Sequence, residues 1–204
     1  MVLFDETNHT KISIALSVVA IFSIFLIINY LEHNLAFGLF HENPIVTIGL
    51  DSEFLTYDDL ITGFSIKYPQ DWERAQHLDK SVTFLAPTES NSDTNPAGLG
   101  IMVIDIESNK TLASITQNQL NTLKNLYPDI QILESMETIF LGHPSHMIIF
   151  TATDNTQTLR KAMQVWFKED NKAFLMTYKS DNQMYSKYLP TIDEMLNSFY
   201  TYKK

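Results

Sequence analysis

The chain patterns as an α+β fold: an antiparallel β-sheet sandwiched by helices, preceded by one N-terminal transmembrane helix. Three observations carry this expectation. Several strand-like runs follow one another without the intervening helices of a parallel sheet. One long amphipathic helix interrupts them in the middle, and shorter helical patterns close the chain. A charge-free apolar run stands near the start.

That run covers residues 12–31 and has no Asp, Glu, Lys or Arg. Twenty residues at about 1.5 Å each match a hydrocarbon core of about 30 Å. Up to Ile28 its polar positions are small serines, so it lacks the wet stripe of a core helix, and Asn29 and Tyr30 follow at what would be the interface. The competing reading is a cleaved signal peptide. Asp5 and Glu6 make a poor positive leader, and Ala36-Phe37-Gly38 lies well past the apolar stretch. A retained span or signal anchor is favoured. Lys11 precedes the run and no Lys or Arg follows until Lys67. The positive-inside tendency then places residues 1–11 in the cytoplasm and the following domain outside it. Residues 32–50 form a connector, too rich in Phe, Leu and Pro to be a flexible spacer. Residues 51–204 form the extracytoplasmic domain.

Within that domain, residues 53–58 read as a strand, and Thr62-Gly63 as a turn. In 64–68, Phe64, Ile66 and Tyr68 alternate with Ser65 and Lys67, which gives one apolar face. Pro69 ends this strand, and Trp72 folds back as a core plug. The sheet is expected to form around it. Residues 81–85 make a third strand, closed by Pro87. Residues 88–96 read as a mobile polar surface loop. The run 99–106 is apolar at nearly every position, as in a central strand covered on both faces. Ser108-Asn109-Lys110-Thr111 opens a helix, along which Leu112, Ile115, Leu120, Leu123, Leu126 and Tyr127 recur as one stripe. Pro128 stops it. Strands are expected at 130–135 and 137–141, then a turn at Gly142-His143-Pro144 into a strand at 146–152. Asp154-Asn155 turns the chain. Residues 160–167 and 172–178 form a hairpin about Glu169-Asp170-Asn171. Met163, Val165, Phe167, Phe174, Met176 and Tyr178 line one face of it. Two helices follow, 181–189 and one started by Pro190, the last with Ile192, Met195, Leu196 and Phe199 on its apolar side.

The pieces in this order resemble the PsbP-like superfamily. The likeness rests on Gly63-Phe64-Ser65-Ile66-Lys67-Tyr68-Pro69 with Trp72, the strand from Ser81, the hairpin ending Phe174-Leu175-Met176-Thr177-Tyr178, and Ile192 to Ser198-Phe199. It implies an antiparallel sheet between helices and no catalytic activity. The best-known members are extrinsic subunits on the oxygen-evolving side of photosystem II that help retain calcium and chloride. Others are exported or lipid-anchored proteins of bacteria and archaea. By resemblance alone, calcium or manganese is the ion to consider. The chain differs from the plant subunits in carrying a span and lacking a basic docking arm. No ligand motif carries over residue by residue.

Composition excludes much. The chain has 204 residues and 45% hydrophobic content, enough to bury a core beside the span. A net charge of −10 disfavours nucleic acid, whose phosphates need a basic surface, and a polybasic grip on anionic lipid. With no cysteine, disulfides, thiolate metal sites and cysteine nucleophiles are ruled out. No Gly-x-Ser-x-Gly, phosphate loop, dinucleotide fingerprint or His-Glu-x-x-His occurs.

The candidate metal residues are His143 and His146, the only close histidine pair. Pro144 between them forbids a regular helix, so their spacing does not ensure convergence, and two exposed turn histidines are the simpler reading. Asp51, Glu53, Asp58 and Asp59 make an acidic entry without a calcium-loop pattern. Asp105 closes a buried-looking strand and is expected to face the surface. Trp72 and Trp166 are expected in the core. Asn8-His9-Thr10 and Asn109-Lys110-Thr111 fit the glycosylation pattern. Only Asn109 lies outside in the favoured orientation, and a capping role there would also explain it.

These readings point to a non-enzymatic accessory. Its partners would be a membrane protein complex and the lipid bilayer through residues 12–31, with no nucleic acid. The alternative is a small-ligand or divalent-metal-binding protein using the two histidines.

Overall fold

A computed structural model describes residues 53–202, apart from 78, 80, 89–95 and 155. The expected span, the connector and most of the polar loop at 88–96 lie outside the described residues. Among the described residues no helix is long and apolar enough to cross a membrane.

The strands form two antiparallel sheets where one was expected. The small sheet has the order β1-β2-β10, with β1 Phe54–Asp59, β2 Phe64–Pro69 and β10 Tyr200–Thr201. The large sheet has the order β3-β4-β5-β9-β8-β7-β6. Its strands are β3 Glu73–Gln76, β4 Val82–Leu85, β5 Gly98–Asp105, β6 Gln131–Phe140, β7 His143–Thr153, β8 Leu159–Glu169 and β9 Lys172–Ser180. Helix α1 spans Leu112–Leu126 and α2 spans Asn182–Asn197.

The strand of Phe64, Ile66 and Tyr68 is thus the middle of the small sheet, not of the main one. Its apolar face lies on the inner face of the large sheet. Tyr68 and Phe84 rings approach to 4.7 Å, and Tyr57 meets Phe84 at 5.8 Å. Helix α2 completes this layer with Tyr185, Ile192, Met195 and Leu196, and Phe199 follows it into the core. Phe199 stacks on Phe64 at 5.4 Å and meets Phe167 and Phe174 edge-on. The hairpin residues from Met163 to Tyr178 named above all line this layer.

Helix α1 covers the other face. Leu123 and Tyr127 are buried there with Met102, Ile148, Phe150, Trp166 and Leu175. Its N-cap is Thr111, whose side chain accepts from Ser114 N at 3.1 Å. Trp166 is buried, and its indole N–H donates to Thr116 Oγ1 at 2.9 Å. Trp72 is buried against Tyr188 of α2, ring centroids 5.7 Å apart. β5 lies between β4 and β9, buried over its first five residues.

Four local expectations change. The two strands expected at 130–141 are one, β6, with a bulge between Ile132 and Glu134 that shifts the register and breaks the alternation. The turn expected at Gly142-His143-Pro144 is Leu141-Gly142, both at positive φ (48° and 83°), with Phe140 paired to His143. This suits a two-residue primed hairpin. The two C-terminal helices are one, because the residues on both sides of Pro190 share a buried face. β3 was not expected: Glu73-Arg74-Ala75-Gln76 is a short, mostly exposed edge strand with no apolar alternation.

Candidate functional site

The histidine pair is taken apart by its strand. Both residues lie in β7, and successive side chains of a strand alternate between faces, so positions three apart oppose each other. His143 stacks on Phe167 at 4.6 Å, in the layer between the sheets. His146 stacks on Trp166 at 5.1 Å, on the helix side, with Nε2 2.8 Å from Ser135 Oγ. Burial holds the His146 pKa below the usual histidine range, against the opposing pull of Glu137. This backbone does not bring the two imidazoles to one ion. Among the described residues no three His, Asp or Glu side chains converge for a metal.

The acidic entry builds a turn. Asp59 is buried at the end of β1. Its Oδ1 accepts from Ile61 N at 3.0 Å and Thr62 N at 2.8 Å, and its Oδ2 accepts from Tyr57 O–H at 3.3 Å. Burial, then the Asp59 charge, pushes the Tyr57 pKa up to about 12. Gly63 closes the turn at φ +91°, its N–H donating to Asp59 O at 2.8 Å. Asp58 is exposed and accepts from Tyr202 O–H, which holds its carboxyl below the usual range. Asp105 is exposed at the end of β5, in register with Lys172.

With its amides tied down, this turn presents two aliphatic side chains to solvent. Leu60 is 80% exposed and Ile61 77%. Lys172 Nζ donates to Thr62 O, which pins the turn to the start of β9. The β8–β9 turn at Asp170-Asn171 therefore sits beside it, and Asn171 O accepts from Ile106 N at 2.8 Å. The registers Glu169–Lys172, Ser145–Phe167 and Phe140–His143 bring the β6–β7 turn to the same end of the molecule. There Ile139 is 67% and Leu141 42% exposed. Exposed aliphatics from distant parts of the chain thus lie at one end of the molecule, and the Leu60-Ile61 turn there is the candidate docking surface. Phe54, where the preceding chain enters, pairs with Pro69 at the opposite end of β1.

This end was missed in the sequence, although a signal was present. Turns favour Gly, Asn, Asp and Ser, so two large aliphatics between Asp58-Asp59 and Thr62-Gly63 are out of place unless they serve something else.

A second missed feature is the buried pair Asp154–Arg160. Arg160 Nε lies 2.8 Å from Asp154 Oδ2, with both side chains 5% or less exposed. Asp154 Oδ1 accepts from Thr156 N at 2.8 Å, Thr156 Oγ1 at 2.6 Å and Thr158 N at 3.0 Å. Burial raises the Asp154 pKa, but these hydrogen bonds and Arg160 outweigh it and hold the carboxyl below its usual range. The pair locks the β7–β8 turn.

A small sheet and helix stacked on one face of a larger antiparallel sheet, with a helix on the other, define an α+β sandwich domain. The chain belongs to the PsbP-like protein family, whose model matches residues 12–201. No curated protein matches it. Among solved structures, cyanobacterial PsbP from Synechocystis sp. PCC 6803 is similar at a TM-score of 0.58 and 15% identity, over 79% of this chain and 99% of that one. The Mycobacterium tuberculosis protein LpqN, described as involved in cell envelope biogenesis, is similar at 0.54 and 12%, over 75% and 92%. The Saccharomyces cerevisiae Ran-binding protein Mog1p is similar at 0.53 and 7%, over 74% and 96%. At these identities the likeness is one of fold.

Proposed function

We propose that the protein is a non-enzymatic accessory, held at a membrane by residues 12–31, whose domain docks outside the cytoplasm on a membrane protein complex through this end. The observation that carries this reading is the exposed Leu60-Ile61 turn. Asp59 and Lys172 fix its backbone, so docking need not order the turn. Two aliphatics displayed on a fixed turn gain nothing in solvent, and such patches mark interaction sites. The partner is protein rather than anionic lipid, because the exposed carboxylates of Asp58 and Asp170 flank the turn. The patch also lies at the end of β1 away from the incoming chain, about 16–20 Å along the strand. Tethering raises the local concentration, so a small contact suffices. The family assignment supports an accessory role. No role for nucleic acid is proposed.

The test is crosslinking of the full-length protein in intact membranes. A Leu60→Ser/Ile61→Ser variant is expected to lose the crosslinked partner while keeping the thermal unfolding of the parent. Recovery of the parent alone, or undiminished capture by the variant, would refute the reading.

A further inference from the structure

We infer that Asn109 carries an N-linked oligosaccharide. This rests on the proposal that the domain lies outside the cytoplasm. Asn109-Lys110-Thr111 fits the acceptor pattern Asn-x-Thr. A cap role for Asn109 would have explained the asparagine without a glycan. The structure gives that role to Thr111 and leaves Asn109 two residues outside the helix. Lys110 N donates to Glu107 O at 3.0 Å, so Ser108 and Asn109 are the central residues of a tight turn. Residues 107–111 are all exposed. A branched sugar on the Asn109 amide therefore displaces no packed group.

The surroundings leave room for it. Helix α1 packs on one face of the large sheet, while Leu60 and Ile61 lie in the turn between β1 and β2 of the small sheet, which packs on the other. The Lys168 Nζ bond to Ser108 O, at 2.8 Å, uses backbone and leaves the Asn109 side chain alone.

The chemistry is a group transfer from a lipid diphosphate-linked oligosaccharide. The Asn109 amide nitrogen forms a bond to the anomeric carbon of the first sugar. The bond from that carbon to the phosphate oxygen breaks. The lipid diphosphate leaves, and the amide nitrogen gives up one proton.

The test uses full-length protein isolated from its own membranes, with glycopeptide mass spectrometry at Asn109 and protease treatment of intact cells. The expected result is an oligosaccharide mass on Asn109, lost in Asn109→Gln and Thr111→Ala, retained in Thr111→Ser, with the domain cleaved from outside. Asn109→Gln is expected to leave the unfolding midpoint unmoved, which separates the glycan from the cap. A bare Asn109 on a protease-accessible domain overturns this inference and leaves the orientation standing. A protected domain, or sugar on Asn8 instead, overturns both.

Discussion

Replacing Arg160 with methionine would leave the buried carboxylate of Asp154 without its partner at the β7–β8 turn. The Asp154 side chain is 1% exposed, and its Oδ2 faces Arg160 Nε at 2.8 Å. Removing one member of a buried pair costs roughly 3–5 kcal/mol, since the other charge stays behind uncompensated. Three donors from Thr156 and Thr158 still serve Oδ1, which places the expected loss near the low end, about 3 kcal/mol. For a domain of this size that is a fall in Tm of about 6–12 °C. The assay is urea unfolding of the full-length chain in mild detergent, followed by the fluorescence of the buried Trp72 and Trp166. The acid limb gives a second readout. The folded Asp154 carboxyl lies below its ordinary value of 3.8, so its stabilisation is present above that pH and is lost as pH falls through the folded value. Without Arg160 the folded value rises, and the acid loss begins at higher pH. A loss under about 1 kcal/mol, the worth of a surface pair, with an unmoved acid limb, would refute the argument.

Two further outcomes follow from the geometry. Thr116→Val removes the acceptor of the Trp166 indole N–H and leaves a buried donor unpaired, at a cost of about 1–3 kcal/mol. Urea unfolding checks this, and an unchanged midpoint would count against it. In calorimetry with calcium, manganese or zinc, His143→Ala and His146→Ala are not expected to abolish the same binding event, because the imidazoles occupy opposite faces of β7. A stoichiometric site lost in both single variants would contradict the register of that strand.

Much of the architecture was legible because it rests on local periodicity. The alternation of Met163, Val165 and Phe167 against Phe174, Met176 and Tyr178 marks the β8–β9 hairpin and its inward face. The stripe from Leu112 to Tyr127 marks α1, and Pro128 its end. Where the local signal was ambiguous, packing decided. One strand, paired without a break through Met136, looked like two, and Pro190 made one helix look like two. The polar β3 gave no signal, since an exposed edge strand has no buried face to pattern. The Leu60-Ile61 turn was readable as an anomaly, but its pinning by Lys172, 110 positions away, was not.

What the chain determines by itself is which residues can share a face, because side-chain period is a property of one segment. It also determines the family and the acidic balance that disfavours nucleic acid. Only the tertiary structure decided that Phe64, Ile66 and Tyr68 belong to a second sheet, and that His143 and His146 are divided by the first. It alone brought Asp154 against Arg160 and carried three turns to one end of the molecule. Strand pairing is chosen by the burial of many faces at once, and no single stretch of sequence contains that competition.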